Sequence, residues 1–201
     1  MKAVTDYSAY LAQVAERQEQ LKFKLKSWKD SLRGRPCTLE FGSGHGHFLT
    51  HYAAHAPEKA FLGIDLLGSR LARARKKAER MGLENVEFIQ AEATELLEAM
   101  PSDIFFEQAF MLFPDPWPKR RHHKNRMIQE EWLNRLADRM QPGGLFYFRT
   151  DDAAFADWTQ AHLNAHTRWD CQANKTWPFE FTTVFQLKAD RYFSIAASAK
   201  A

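Results

Sequence analysis

Between residues 37 and 150 the chain alternates short apolar runs with amphipathic stretches, and few folds accommodate that pattern. The runs are "CTLEFG" (37–42), "AFLGID" (60–65), "NVEFIQ" (85–90), "IFFEQAFMLF" (104–113) and "LFYFRT" (145–150). Each has the length of a buried strand rather than a helix. The stretches between them carry helical spacing. Leu71, Ala74, Ala78 and Met81 share one face of a helix over about 69–81, and Arg70, Arg73, Lys77 and Arg80 share another. "TELLEAM" is a short helix, and a helix over 125–140 buries Ile128, Trp132, Leu133 and Leu136 before "QPGG" stops it. "DDAAFADWTQAHLNAH" reads as a further helix. Strand–helix alternation at this spacing predicts a single doubly wound α/β domain, its sheet mostly parallel. The last stretch, "WPFEFTTVFQLKADRYFSIAAS", reads as extended chain that adds edge strands, one of them antiparallel.

The 201 residues suffice for one such domain over 36–201, with a helical segment over 1–35 docked on it. Leu11, Val14, Leu21, Leu25 and Trp28 fall on one face of that helix, and "RGRP" at 33–36 breaks it. The formal net charge is only +3, so any affinity for a polyanion has to come from how the charge is distributed. Cys37 and Cys171, far apart in the chain, read as free thiols in a reducing compartment. The N-terminus lacks an apolar run with a small-residue cleavage site, and no stretch has the length of a bilayer span. A cytoplasmic location is the expectation.

In open parallel sheets ligands sit beyond the carboxyl ends of the strands. The chemistry-bearing residues fall at those ends: Glu40 to Gly46, Asp65, Glu92, Asp115 and Asp151. In "EFGSGHGHF" the glycines Gly42, Gly44 and Gly46 permit positive φ and close approach of a ligand at the start of a helix. Their spacing is not that of the nicotinamide fingerprint. Glu40 would repel a pyrophosphate but attract a cation. Asp65 stands where an acid can hold both hydroxyls of a ribose, and Glu92 where an adenine would rest. An adenosine-containing, positively charged cofactor, S-adenosylmethionine, satisfies all of these.

"LFPDPWPKRRHHKNRM" (112–127) follows the fourth strand. Its prolines stiffen the turn around Asp115 and Trp117, which is what catalysis by positioning requires. Trp117 offers a face on which a base can stack. The cations Lys119, Arg120, Arg121 and Lys124 would repel one another unless an anion binds, and phosphates of a structured RNA are the natural candidate. The histidines His47, His51 and His55, like His162 and His166, recur at four-residue spacing, yet no Cys or acid matches them, so no metal is expected.

Taken together, "ExGxGxG" at 40–46, "GID", "FPDPWPKRRHHKNR", "RTD" and "TxF" resemble the bacterial tRNA (guanine-N7-)-methyltransferase family over about 39–187. The resemblance implies a Rossmann-like methyltransferase domain that moves the methyl group of S-adenosylmethionine to N7 of the variable-loop guanine of tRNA. It implies cofactor contacts from Glu40, Gly42, Gly44, Gly46, Asp65, Glu92 and Asp115, with Asp115 also at the catalytic position. It implies substrate contacts from Lys119, Asp151, Thr183 and Gln186. The family's closing motif is Thr-x-Phe-Glu, whereas this chain has "TVFQ". The family's basic N-terminal arm is replaced here by a helix bearing Lys22, Lys24, Lys26 and Lys29. A methyltransferase of another class, and a tRNA-binding relative with weakened catalysis, are the alternatives those departures leave open.

Overall fold

The strands assemble into one seven-stranded sheet in a computed structural model that describes residues 2–32, 34–173 and 175–200, with only the backbone described at 2–8 and 10. β1 (Cys37–Phe41) lies at its centre, between β2 (Ala60–Asp65) and β4 (Phe106–Leu112). β3 (Val86–Gln90) borders β2, and β5 (Met140–Thr150) borders β4. All four pairings are parallel. β7 (Phe193–Ala199) then pairs antiparallel with β5, and the three-residue β6 (Trp169–Cys171) closes that edge antiparallel to β7. The chain is a single Rossmann-like α/β domain.

Strand residues alternate between two apolar layers, as a period of two dictates. Leu39, Phe41, Ala109, Met111, Phe146 and Phe148 join the layer formed with α1 (Lys2–Ser31), α4 (Ala93–Ala99), α5 (Glu130–Ala137) and α6 (Ala153–Ala165). Phe110 and Tyr147 join the other, formed with α2 (His47–His55) and α3 (Gly68–Arg80). On that second face α2 reaches β4 through Phe48 and Tyr52, whose rings pack on Phe110. An irregular strap over 175–183 covers the neighbouring β5. Trp177 packs on Tyr147 at 4.9 Å, Phe179 stacks on Tyr52 at 4.9 Å, and Phe181 stacks on His51 at 4.1 Å. Odd-numbered residues of the strap thus point inward, as in a strand without a ladder.

Several expectations need correction. Residues 120–125 form a 3-10 turn and α5 starts only at Glu130, because 126–129 run extended. The predicted burial of Ile128, Trp132, Leu133 and Leu136 holds nonetheless. "QPGG" does not stop a helix but bulges inside β5: Phe106 pairs with Met140 and Gln108 with Leu145, and Gly143 takes φ 77° to make the bulge. The closing stretch contains a one-turn helix, α7 (Val184–Lys188), between the strap and β7. Cys37 and Cys171 are free, the first buried. Among the described residues no helix is long and apolar enough to cross a membrane.

Helix α1 packs on the sheet layer through apolar residues of its second half. Leu21, Leu25, Trp28 and Leu32 are buried against the sheet layer, while Leu11 is exposed and Val14 half-buried. The Trp28 ring stacks over Phe106 at 6.4 Å. Truncating such a ring leaves a cavity that the layer cannot fill. Trp28→Ala should cost about 3–5 kcal/mol, read as a lower urea midpoint with an unchanged slope. A change under about 1 kcal/mol would mean that α1 does not belong to the core.

Candidate active site

Parallel pairing puts the ends of β1, β2, β3, β4 and β5 along one edge of the sheet, and the residues singled out above gather there. The glycine loop leaves β1 and is pinned from β2. The Gly44 amide donates to Asp65 Oδ2 at 3.0 Å, and the Ser43 amide to the Ile64 carbonyl at 2.8 Å. Gly42, Gly44 and Gly46 all adopt positive φ. Gly46 has a second reason to be glycine: a Cβ there would sit 2.8 Å from both the Ala74 methyl and the Phe88 ring. A Cβ at Gly42 would meet nothing within 4 Å, so the loop leaves open space on its outer side.

Glu40 is only 3 % exposed, and its Oε2 has no hydrogen-bond partner among the described residues. Burial, reinforced by the Asp65 carboxylate, pushes its pKa up to about 8. Such a group holds a proton at neutral pH only because no cation is beside it. Asp65 is differently placed. Its Oδ1 also accepts from the Leu67 amide at 2.8 Å, and Arg70 stands 3.8 Å away. Leu66 and Leu67 just beyond it are exposed, an unusual position for two leucines beside a polar strand end. Glu92 is the N-cap of α4: its Oε2 accepts from the amides of Thr94 and Glu95. Only the other oxygen is free for a ligand.

The turn after β4 is strained as well as stiff. Phe113 and Trp117, each followed by a proline, have φ of 51° and 47°. That is a sparsely populated region for residues with large side chains, and strain of this kind persists only where the surroundings enforce it. Two buried arginines supply the enforcement. Arg126 donates from Nε to the Pro116 carbonyl at 2.9 Å and lies over the rings of Phe155 and Trp158. The carbonyl of Arg149 accepts from the Phe113 amide at 2.8 Å. Its guanidinium meets Glu180 of the strap with two bonds (2.9 and 2.6 Å), donates to Ser194 and lies 3.8 Å from the centre of the Trp177 ring. Arg149 therefore ties turn, strap and β7 together at one strand end.

Asp115 is exposed and makes no hydrogen bond or ion pair among the described residues. Trp117 is half-buried, its ring edge against His122 at 5.9 Å. Lys119, Arg120, Arg121 and Lys124 are all exposed, on or beside the 3-10 turn. Asp151 is exposed directly after β5. Thr183 caps α7 by accepting from the Gln186 amide, and Gln186 Oε1 is buried without a partner among the described residues. Phe185, next to Gln186, stacks on Phe113 at 6.4 Å, which brings α7 against the Asp115 turn. The paired histidines have other occupations: His51 stacks on Phe181, and His162 on Trp158 at 4.2 Å. Among the described residues no group of three or more His, Cys, Asp or Glu could hold a metal ion.

A family model described as "Putative methyltransferase" matches residues 34–189, which is most of the domain just described. The chain belongs to that methyltransferase family. Among its relatives is a protein of Halorhodospira halophila named tRNA (guanine-N(7)-)-methyltransferase, 38% identical over 143 residues. These cover 70% of this chain and 62% of that protein. A protein of the same name from Rhizobium meliloti is 33% identical over 159 residues, 76% of this chain and 68% of its own. The chain thus spans about six- to seven-tenths of the length of these relatives. The solved structure of the aminoglycoside resistance methyltransferase NpmB1 superposes with a TM-score of 0.60 at 16% identity, covering 89% of this chain and 93% of the other. That likeness concerns the fold alone.

A buried carboxyl with a raised pKa leaves a mark on stability. Glu40 keeps its proton when folded up to pH about 8 but loses it near the ordinary glutamate value of 4.5 when unfolded. Between those values the folded state binds the extra proton, so stability falls as pH rises and levels off above the folded pKa. Urea unfolding of the parent should show this decline between pH 5 and 8. Glu40→Gln, which keeps the shape and cannot ionise, should flatten it. Parallel curves for the two proteins would place Glu40 in a solvated setting.

Proposed function

We propose that this chain transfers the methyl group of S-adenosylmethionine to N7 of guanine in tRNA, the variable-loop guanine being the target, in the cytoplasm. The observation that carries the reading is the pairing, on one sheet edge, of a buried partnerless carboxylate with a rigid, exposed acid flanked by unpaired cations. The relatives' names and the family membership point the same way.

The residues present fit the donor. Glu40 offers a buried oxygen with no partner, which suits an ammonium or sulfonium charge. Asp65 retains lone pairs beyond its two amide bonds and can accept from ribose hydroxyls. Leu66 and Leu67 supply an apolar surface for an adenine, and the free oxygen of Glu92 lies at the end of the neighbouring strand. Gly42, Gly44 and Gly46 let the ligand approach the main chain. Bound there, S-adenosylmethionine would supply an electrophilic methyl group.

The guanine N7 carries its lone pair in the ring plane, so no proton has to leave before it attacks. What the protein must do is align the base and offset the positive charge that the base acquires. Asp115, held at a fixed place by the strained turn, performs both tasks and is the catalytic residue. Thr183 and Gln186 on α7 and Asp151 after β5 hold the base, with Gln186 Oε1 accepting from it. Lys119, Arg120, Arg121 and Lys124 take the flanking phosphates, and Trp117 packs on a neighbouring nucleotide. In this reading residues 36–201 are the catalytic domain and 1–35 a helix docked on it.

Mass spectrometry of nucleosides from unmodified tRNA, incubated with the protein and labelled donor, decides the matter. N7-methylguanosine is the expected product. Another methylated nucleoside would make it an enzyme of a different class, and none at all a binding protein only. In the same assay Asp115→Asn should slow single-turnover methylation roughly a hundredfold and leave donor affinity nearly unchanged.

Donor binding itself should report on Glu40. A cation arriving beside a carboxyl that is protonated at pH 7 lowers its pKa and expels the proton. Calorimetric heats of S-adenosylmethionine binding should therefore differ between buffers of unlike ionisation enthalpy. That difference should vanish in Glu40→Gln. Buffer-independent heats in the parent would separate Glu40 from the donor's charge.

A further inference from the structure

Cations on this surface fall into two kinds. Lys29, Lys59, Arg168 and Lys200 each face an acid, as does Arg135, which faces both Glu98 and Glu131. Outside the 119–124 block, a second set has no acidic partner among the described residues. Arg73, Lys76, Lys77 and Arg80 recur at three- and four-residue spacing and form one stripe along α3. By helical rise the stripe is about 10 Å long. Together with His45 and His47 it lines a surface groove of about 810 Å³, whose single carboxylate is Glu79.

Two details show that this is a built wall rather than a fringe of loose side chains. Lys77 is spent on structure: its Nζ donates to the His45 carbonyl at 3.0 Å and contacts His47 Nδ1 at 2.8 Å, where the imidazole must accept. The helix is thereby fastened to the glycine loop, with His45 between Gly44 and Gly46. Arg80 lies along the helix, its Nε donating to the Lys76 carbonyl at 3.2 Å. Burial first, and neighbouring positive charge second, lower the pKa of both Lys77 and His47. Four cations facing one carboxylate destabilise a free protein by self-repulsion and gain when an anion arrives.

We infer that this groove is a second binding surface for the phosphate backbone of the RNA substrate, an assignment that rests on the tRNA reading above. α3 connects β2 to β3, while the 119–124 block follows β4, so groove and block flank the glycine loop of β1 on opposite sides. At about 4.8 Å per strand their sheet anchors stand roughly 10 Å apart. A ligand that grips both must be an extended polyanion. A stripe of that length can meet more than one phosphate of a strand. Contacts there carry no base information. They would set how tightly and in which orientation the RNA body lies while the block and Asp115 turn address the target base.

Charge reversal tests this on the full chain. Arg73→Glu combined with Arg80→Glu, both exposed, should weaken tRNA binding roughly tenfold or more at low salt. It should also lower the slope of log Kd against log salt by about one to two. Turnover at saturating tRNA and donor affinity should stay as in the parent, because neither residue reaches donor or base. Glu79→Lys should act in the opposite direction, with tighter binding and a steeper slope. If both variants match the parent in affinity and slope, the assignment is overturned and the groove belongs to another partner, such as an acidic protein surface. A parent that binds no tRNA would overturn the tRNA reading and this one with it. A parent that binds tRNA beside unaffected variants would overturn the groove alone.

Discussion

Parallel pairing of β1 with both β2 and β4 is the constraint on which everything else rests. It sends three strands out of the sheet at the same edge, so whatever follows each of them has to share one small volume. The glycine loop, Asp65 and the Asp115 turn are neighbours for that reason and no other. The arrangement is costly in charge: Glu40 and Asp65 end up close enough for one carboxylate to raise the pKa of the other. A fold selected for stability alone would place an apolar residue at position 40, as it does at Leu39 and Phe41 beside it. Keeping a buried acid there is intelligible if the charge is completed by a ligand.

The same edge holds two backbone irregularities that local sequence cannot maintain. Phe113 and Trp117 in the left-handed region would relax in an isolated peptide, since each costs of order 1–3 kcal/mol. They are held because Arg126 grips the Pro116 carbonyl and because Arg149 ties the neighbouring strand end to the strap. Each arginine brings its charge inward only under cover of aromatic rings, Phe155 and Trp158 for one, Trp177 and Tyr192 for the other. Buried guanidinium groups with fixed forks make better rivets than lysines, whose single flexible ammonium would leave the turn free to relax. Over β5 the strap, as extended chain, supplies the inward aromatics Trp177 and Phe179 and leads directly to Thr183 and Gln186.

What could be read beforehand followed from local rules. Strands 60–65 and 86–90 are short, strand-length runs bounded by turn formers, and their ends were legible to within a residue. The glycine loop and the acids after each strand were legible because a parallel sheet fixes where strand ends go. What escaped depends on distant partners. Arg126 stands among exposed cations at 119–124 and nothing local separates it from them, although it is buried and they are not. Arg149 in "LFYFRT" shares the parity of Tyr147, and that parity was the available clue to its burial. The strap alternates with a period of two at Trp177, Phe179 and Phe181 but pairs with no strand, and the one-turn α7 is too short to show a helical period. "QPGG" signals a break in any sequence, but only the partner strand decides whether the break ends an element or bulges it.

Gln186 can be weighed on the same footing as Glu40. Its Oε1 is buried and has no partner among the described residues, while its backbone amide is fixed by the Thr183 hydroxyl oxygen. A glutamate in that position would meet the difficulty of Glu40: a carboxylate out of water, with another acid, Glu180, in the adjoining strap. It would either hold a proton at neutral pH or need a cation, and the buried guanidinium of Arg149 is already paired with Glu180. A neutral amide avoids that cost and still presents an acceptor to an N–H donor, together with two donors of its own. What it cannot do is add negative charge beside a base that is becoming a cation. In the proposed reaction that charge is left to Asp115 and Asp151, and of the two it is Asp115 that stands between two prolines in the strained turn.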